Sequence, residues 1–117
     1  MACTIRATKI RKGHDHNWAL ARAEKAGLQT AAEVFEPTSG RVLEVLTTES
    51  GIQFYSGKFL DGTARGKSGQ VSGHRTGFCM ETQLFPDSPN HRNFPSAELR
   101  SGQTYRSTSV FRLKIRK

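Results

Sequence analysis

From Ser107 to Arg116 the chain reads STSVFRLKIR, with Phe111, Leu113 and Ile115 alternating with Arg112, Lys114 and Arg116. A period of two is the signature of a β-strand with one apolar and one polar face. Wound as a helix, the same residues would scatter their charges around the axis and leave no face to bury. Such a strand needs partners for its backbone and a cover for its apolar face, so the chain must build an antiparallel sheet.

The pattern recurs. Residues 31–36 (AAEVFE) and 41–48 (RVLEVLTT) flank the turn-forming Pro37-Thr38-Ser39-Gly40 and predict a hairpin. Residues 51–56 (GIQFYS) set Ile52 and Phe54 opposite Gln53 and Tyr55. Residues 77–83 set Phe78 and Met80 opposite Cys79, Glu81 and Gln83. Leu60 to Gly73, rich in Gly, Ser and Lys, reads as a long exposed loop, and the three prolines of 86–96 exclude extended regular structure there. Helical propensity is confined to 18–27 (WALARAEKAG), with Gly27 as its stop, although Trp18 and Leu20 also alternate as a strand would. The expected fold class is all-β, an antiparallel β-sandwich, and 117 residues allow one domain at most.

The net charge of +8 first suggests a polyanion partner, but its location argues otherwise. Residues 1–12 carry Arg6, Lys9, Arg11 and Lys12 and no acid, and 112–117 carry Arg112, Lys114, Arg116 and Lys117 and no acid. Residues 13–111 balance basic against acidic side chains. The basic ends read as solvated tails or an edge strand, and no specific nucleic acid is expected as partner. No apolar run approaches a membrane span of ~20 residues, and no membrane partner is expected. Two cysteines, Cys3 and Cys79, are too few for a disulfide framework and fit a reducing compartment, with the cytoplasm as the expected location. Cys79, in an apolar strand without an activating base, reads as a buried, inert thiol. The basic N-terminus lacks the apolar core of a secretory signal.

Three segments carry candidate chemistry. In Gly13-His14-Asp15-His16-Asn17-Trp18 the two histidines share a strand face, with Asp15 on the other. A metal would need further ligands from His74 or His91, and the expectation is no metal. Gln53 is either a solvent-facing strand residue or an amide that binds a polar ligand, with Phe54 or Tyr55 as a sugar-stacking platform. Glu81, set in an apolar run, is either the partner of a cation such as Arg75 or a general base tuned by partial burial.

Together, Gly13-x-Asp15-His16-Asn17-Trp18, GRVLEVLTTESGIQFYSGKFLDGT at 40–63 and HRTGFCMETQLFPDSPNHRNFPSAELRSGQTYRSTSVFRL at 74–113 resemble the C-terminal part of the aldose 1-epimerase (galactose mutarotase) family. The resemblance covers 13–117, with 1–12 as a basic N-terminal segment. It implies a β-sandwich of the galactose mutarotase type, present here as its C-terminal part. It also implies interconversion of the α and β anomers of free aldoses such as galactose and glucose, without cofactor.

Carried over residue by residue, the resemblance makes Glu81 the catalytic base, Asp15 the carboxylate that binds sugar hydroxyls and Gln53 a further substrate contact. The family's acid, a histidine that protonates the ring oxygen, lies upstream of the aspartate motif, and none of the twelve residues before Gly13 is histidine. His14 also stands where relatives often carry an aromatic residue. The expectation is a truncated mutarotase with an aldohexose monosaccharide as substrate, which self-associates or docks an N-terminal partner chain. The competing expectation is a non-catalytic β-sandwich module that binds carbohydrate or a partner protein.

Overall fold

The computed structural model describes residues 13–21 and 27–117. Six strands run in order: β1 (Asp15–Ala19), β2 (Gln29–Glu36), β3 (Arg41–Thr47), β4 (Gly51–Tyr55), β5 (Cys79–Gln83) and β6 (Ser109–Ile115). They form two three-stranded sheets, β1-β4-β5 and β2-β3-β6. A single 3-10 turn at Ser88–Asn90 is the one helical element among the described residues. The all-β class expected from the alternation therefore holds.

One element differs from expectation. Trp18 and Ala19 end β1 instead of opening a helix, because backbone pairing to β4 outweighs the weak helical preference of this stretch. Leu20 N extends that pairing by donating to Ser50 O at 2.9 Å. Residues 22–26 of the expected helix, the basic segment 1–12 and Cys3 lie outside the described residues.

By compactness the described residues divide into two units, one holding residues 13–16 and Gln53–Glu81, the other holding residues from Asn17 to Ile52 and Thr82–Lys117. The second unit contains the hairpin. Strands β2 and β3 pair antiparallel from Glu36↔Arg41 to Gln29↔Thr47, with a bulge between Thr30 and Ala32. Its turn closes through Gly40 N donating to Glu36 O at 2.9 Å. Gly40 sits at φ 72°, a left-handed conformation that glycine adopts without steric cost. The Glu36 carboxylate accepts from Thr38 N (2.8 Å), Ser39 N (2.7 Å) and Ser39 Oγ (2.5 Å), which holds its pKa down at about 2.

Strand β6 pairs antiparallel with β3 from Arg41↔Ile115 to Thr47↔Ser109. Arg112 and Lys114 thus belong to an edge strand, and the basic charge of 112–116 is partly offset in place. Glu44 receives Lys114 Nζ at 2.7 Å and Arg112 at 3.0 Å, while Arg116 reaches Glu33 at 2.7 Å and stacks over Phe35. The Lys114 hydrogen bond, ahead of a hydrogen bond from Thr30, lowers the Glu44 pKa.

The buried apolar residues of this unit are Val42, Val45, Leu46 and Ile52. Each stabilises the fold by about 1.5–3 kcal/mol relative to exposure. The other face of β6 departs from the expected half-buried strand. Phe111, Leu113 and Ile115 are 58%, 80% and 67% exposed. Leu113 pairs with Leu43 and Phe111 with Val45 across the sheet, but pairing protects only the backbone. No described element packs over the apolar side chains.

Candidate functional site

The site is built on the N-terminal end of β1 and the C-terminal end of β4. Ser56 ties them together: its N donates to His14 O at 3.1 Å, and its Oγ accepts from His14 N at 2.8 Å. This antiparallel clamp sets which faces coincide. His14 and Phe54 meet on one side, with ring centroids 5.6 Å apart, and Phe78 joins Phe54 at 6.1 Å. Asp15 and Gln53 meet on the other, where Gln53 Nε2 donates to Asp15 Oδ1 at 2.9 Å across 38 residues of sequence.

The chemistry of that bond fixes the carboxamide. A carboxylate only accepts, so the amide must turn its nitrogen toward Asp15 and its oxygen away. Gln53 Oε1 is enclosed and has no hydrogen-bond partner among the described residues, an arrangement that costs stability and is tolerated where function requires it.

A third group completes the cluster. Beyond β4 the backbone turns at Gly57, whose φ is 66° and where an added Cβ would lie 2.5 Å from Gly77 O. The turn folds Lys58 back along the strand, so that Nζ comes 3.7 Å from Asp15 Oδ2 with only 11% of its side chain exposed. The turn is pinned from both sides: Phe59 N donates to Tyr55 Oη at 3.0 Å, and His74 Nδ1 bonds Lys58 O at 3.1 Å. Nothing in the sequence reading singled out Lys58. The signal available was a glycine directly after a strand, followed by a cation.

Glu81 occupies the middle of β5, the neighbour of β4, in the same unit. Its side chain is exposed. The structure therefore joins Asp15 to Gln53 directly and leaves the Glu81 carboxylate open to solvent. Cys79 is exposed rather than buried, on the same side of β5 as the exposed Glu81. Of the two aromatic candidates for stacking, Phe54 belongs to the His14 face. Tyr55 lies two residues from Gln53 along the strand, on Gln53's own face, and stacks on Phe59 at 6.3 Å. His14 and His16 share a face, with ring centroids 5.9 Å apart. No three metal-ligating side chains gather among the described residues.

In the second unit, sequence reasoning missed Glu49. It is buried, its N donates to Thr47 Oγ1 at 3.0 Å, and its carboxylate accepts from Tyr105 Oη. That hydrogen bond raises the Tyr105 pKa.

The family model described as aldose 1-epimerase matches residues 3–112. Galactose mutarotase of Rattus norvegicus is 46% identical over 103 residues, covering 88% of this chain and 30% of the relative. That of Sus scrofa is 48% identical over 99 residues, covering 85% and 28%. Aldose 1-epimerase of Escherichia coli is 38% identical over 103 residues, covering 86% and 29%. The chain thus spans less than a third of the length of these relatives. A crystal structure of an aldose epimerase homologue from C. elegans superposes with a TM-score of 0.79 at 24% identity, over 92% of this chain and 31% of that one. With a family model matched along nearly all its length and a fold of the galactose mutarotase type, the chain belongs to the aldose 1-epimerase family.

Proposed function

We propose that this chain carries the base and part of the sugar-binding edge of a mutarotase that interconverts the α and β anomers of free aldohexoses such as galactose and glucose. The observation that carries the reading is the Asp15–Gln53 hydrogen bond, two polar groups locked to each other on one sheet face with an acceptor left unsatisfied. Such convergent donors and acceptors suit a neutral polyol, whose hydroxyls both give and take hydrogen bonds.

In the proposed reaction Glu81 takes the proton from the anomeric O1 as a second group protonates the ring O5, and the C1–O5 bond opens to the free aldehyde. Rotation about C1–C2 and closure on the opposite face of the carbonyl returns both protons and inverts the anomer. The steps balance without redox change, so no cofactor enters. The exposed carboxylate of Glu81 suits a group that must receive a proton from a ligand. The group that protonates O5 comes from a mutarotase portion outside the described residues. Without that group, about 10²–10⁴-fold of rate should be lost.

The test is anomer exchange of α-galactose and α-glucose, followed by polarimetry or NMR above the buffer background, with and without the N-terminal portion of a mutarotase added in trans. Exchange that rises on addition and is abolished in Glu81→Gln supports the assignment. Full activity in Glu81→Gln removes Glu81 as the base. Sugar binding without exchange in either mixture leaves a non-catalytic carbohydrate-binding module.

A further inference from the structure

We propose that Lys58 is a positioning residue of this sugar site: it holds the Asp15 carboxylate, and through it the orientation of the Gln53 carboxamide. The inference rests on the reading of Asp15 and Gln53 as sugar ligands. Three observations carry it. First, Lys58 Nζ lies 3.7 Å from Asp15 Oδ2 while Gln53 Nε2 occupies Asp15 Oδ1 at 2.9 Å, so the two carboxylate oxygens are divided between a cation and an amide. Second, the Lys58 side chain is 11% exposed and its ammonium sits 4.7 Å over the Phe59 ring. A lysine this enclosed has given up most of its rotamers and water, unlike the solvated lysines of an ordinary surface. Third, its backbone is set by the left-handed turn at Gly57 and by the Tyr55 and His74 hydrogen bonds on either side, so the ammonium is delivered to Asp15 by a fixed segment.

The consequence concerns the ligand. Without Lys58, Asp15 would be free to swing toward solvent, and the Gln53 amide would lose the acceptor that decides which end is nitrogen. With it, the site offers a fixed carboxylate and a fixed amide, an arrangement selective for a sugar whose hydroxyl positions match both. Lys58 touches no reacting atom in this account and acts only through Asp15.

The test uses the chain as it stands, with Lys58→Met, Lys58→Gln and Lys58→Arg compared with Asp15→Asn. The first readout is the Gln53 side-chain amide: its ¹⁵N–¹H resonances and the rate at which its bonded proton exchanges with water. The second is the dissociation constant for galactose from NMR titration. Lys58→Met and Lys58→Gln should speed Gln53 amide exchange and weaken galactose binding by about fivefold, with backbone amide shifts outside 13–16 and 53–59 unchanged. Lys58→Arg should restore both readouts to within about twofold, because it keeps the charge. Gln53 amide behaviour unchanged in Lys58→Met and Lys58→Gln but altered in Asp15→Asn overturns the positioning role and leaves the sugar reading intact. An altered Gln53 amide with no galactose binding even in the unmodified chain establishes the positioning link and sinks the sugar reading instead. Should Lys58→Met lose the fold, the polar, uncharged Lys58→Gln and the charged Lys58→Arg still separate the outcomes, since loss of fold in all three makes the role purely structural.

Discussion

Gln53 and Asp15, on neighbouring strands, share one hydrogen bond from Nε2 to Oδ1 at 2.9 Å, and the oxygen of the same carboxamide stays enclosed without a partner. The relationship follows from β1–β4 pairing set by the Ser56–His14 clamp. It also makes a prediction that does not depend on catalysis. Asp15→Asn keeps the shape but exchanges a charged acceptor for a neutral amide that can face either way. Galactose affinity should fall by about 10–100-fold, the range for losing a hydrogen bond to a charged group. NMR titration measures it, and equal affinity in the variant would remove Asp15 from the sugar site.

A second prediction concerns the buried carboxylate of Glu49. Tyr105→Phe deletes the hydroxyl that donates to it across 56 residues of sequence and leaves a buried acceptor short of a partner. The expected loss of stability is about 1–3 kcal/mol, read from urea unfolding at neutral pH. The raised Tyr105 pKa fixes the alkaline behaviour. Its stabilisation is complete below the ordinary tyrosine value of 10.0 and is lost as pH rises through the higher folded value. Tyr105→Phe should therefore flatten the alkaline limb of the stability profile, and an unchanged limb would assign that limb to other groups.

How much of this was legible in advance varies by element. The period-two pattern is local, so β2, β3, β4, β5 and β6 could be read from residues two apart, and Pro37 to Gly40 marked the hairpin turn. Trp18 misled in part, because its local propensity is weak and its conformation is decided by pairing with a strand more than thirty residues away. The exposure of Leu113 was not legible at all, since alternation tells which side chains share a face and not whether anything covers that face. Lys58 was hidden for a different reason. Its proximity to Asp15 depends on a positive φ at Gly57, and a glycine in sequence does not announce which conformation it takes. The Glu49–Tyr105 bond is a tertiary contact between two unremarkable positions.

Glu36 supplies a prediction at acid pH. Its carboxyl is held at about 2 against an ordinary 4.5 by Ser39 Oγ first, then by the Thr38 and Ser39 amides. A lowered folded value means that the turn gains stability above about 4.5 and loses it as pH falls toward 2. Amide exchange of Thr38, Ser39 and Gly40 should therefore accelerate over that window more than at the opposite end of the hairpin. Glu36→Gln should exchange faster at neutral pH and show no such window. A window that persists in Glu36→Gln would assign it to Glu44, whose pKa is lowered chiefly by its hydrogen bond from Lys114.

The last prediction follows from the open face of β6. Phe111, Leu113 and Ile115 are exposed on β6, whose outer backbone groups have no neighbouring strand among the described residues. Edge strands are commonly protected by charge. Here, however, Glu44 offsets one of the two charges of Arg112 and Lys114, and Glu33 offsets that of Arg116, so the repulsion a second copy meets is reduced. An antiparallel β6–β6 pairing of two copies would satisfy both edges and place the two apolar rows side by side, as a two-fold interface requires. The isolated chain should therefore self-associate with rising concentration in sedimentation velocity runs. Leu113→Lys should weaken association by about tenfold or more, the effect of exposing rather than burying one leucine, while circular dichroism stays that of the unmodified chain. Adding the N-terminal portion of a mutarotase should compete with self-association if that portion takes the same face. A clean monomer over a wide concentration range would rule out the β6 interface and leave the apolar row without a partner of its own kind.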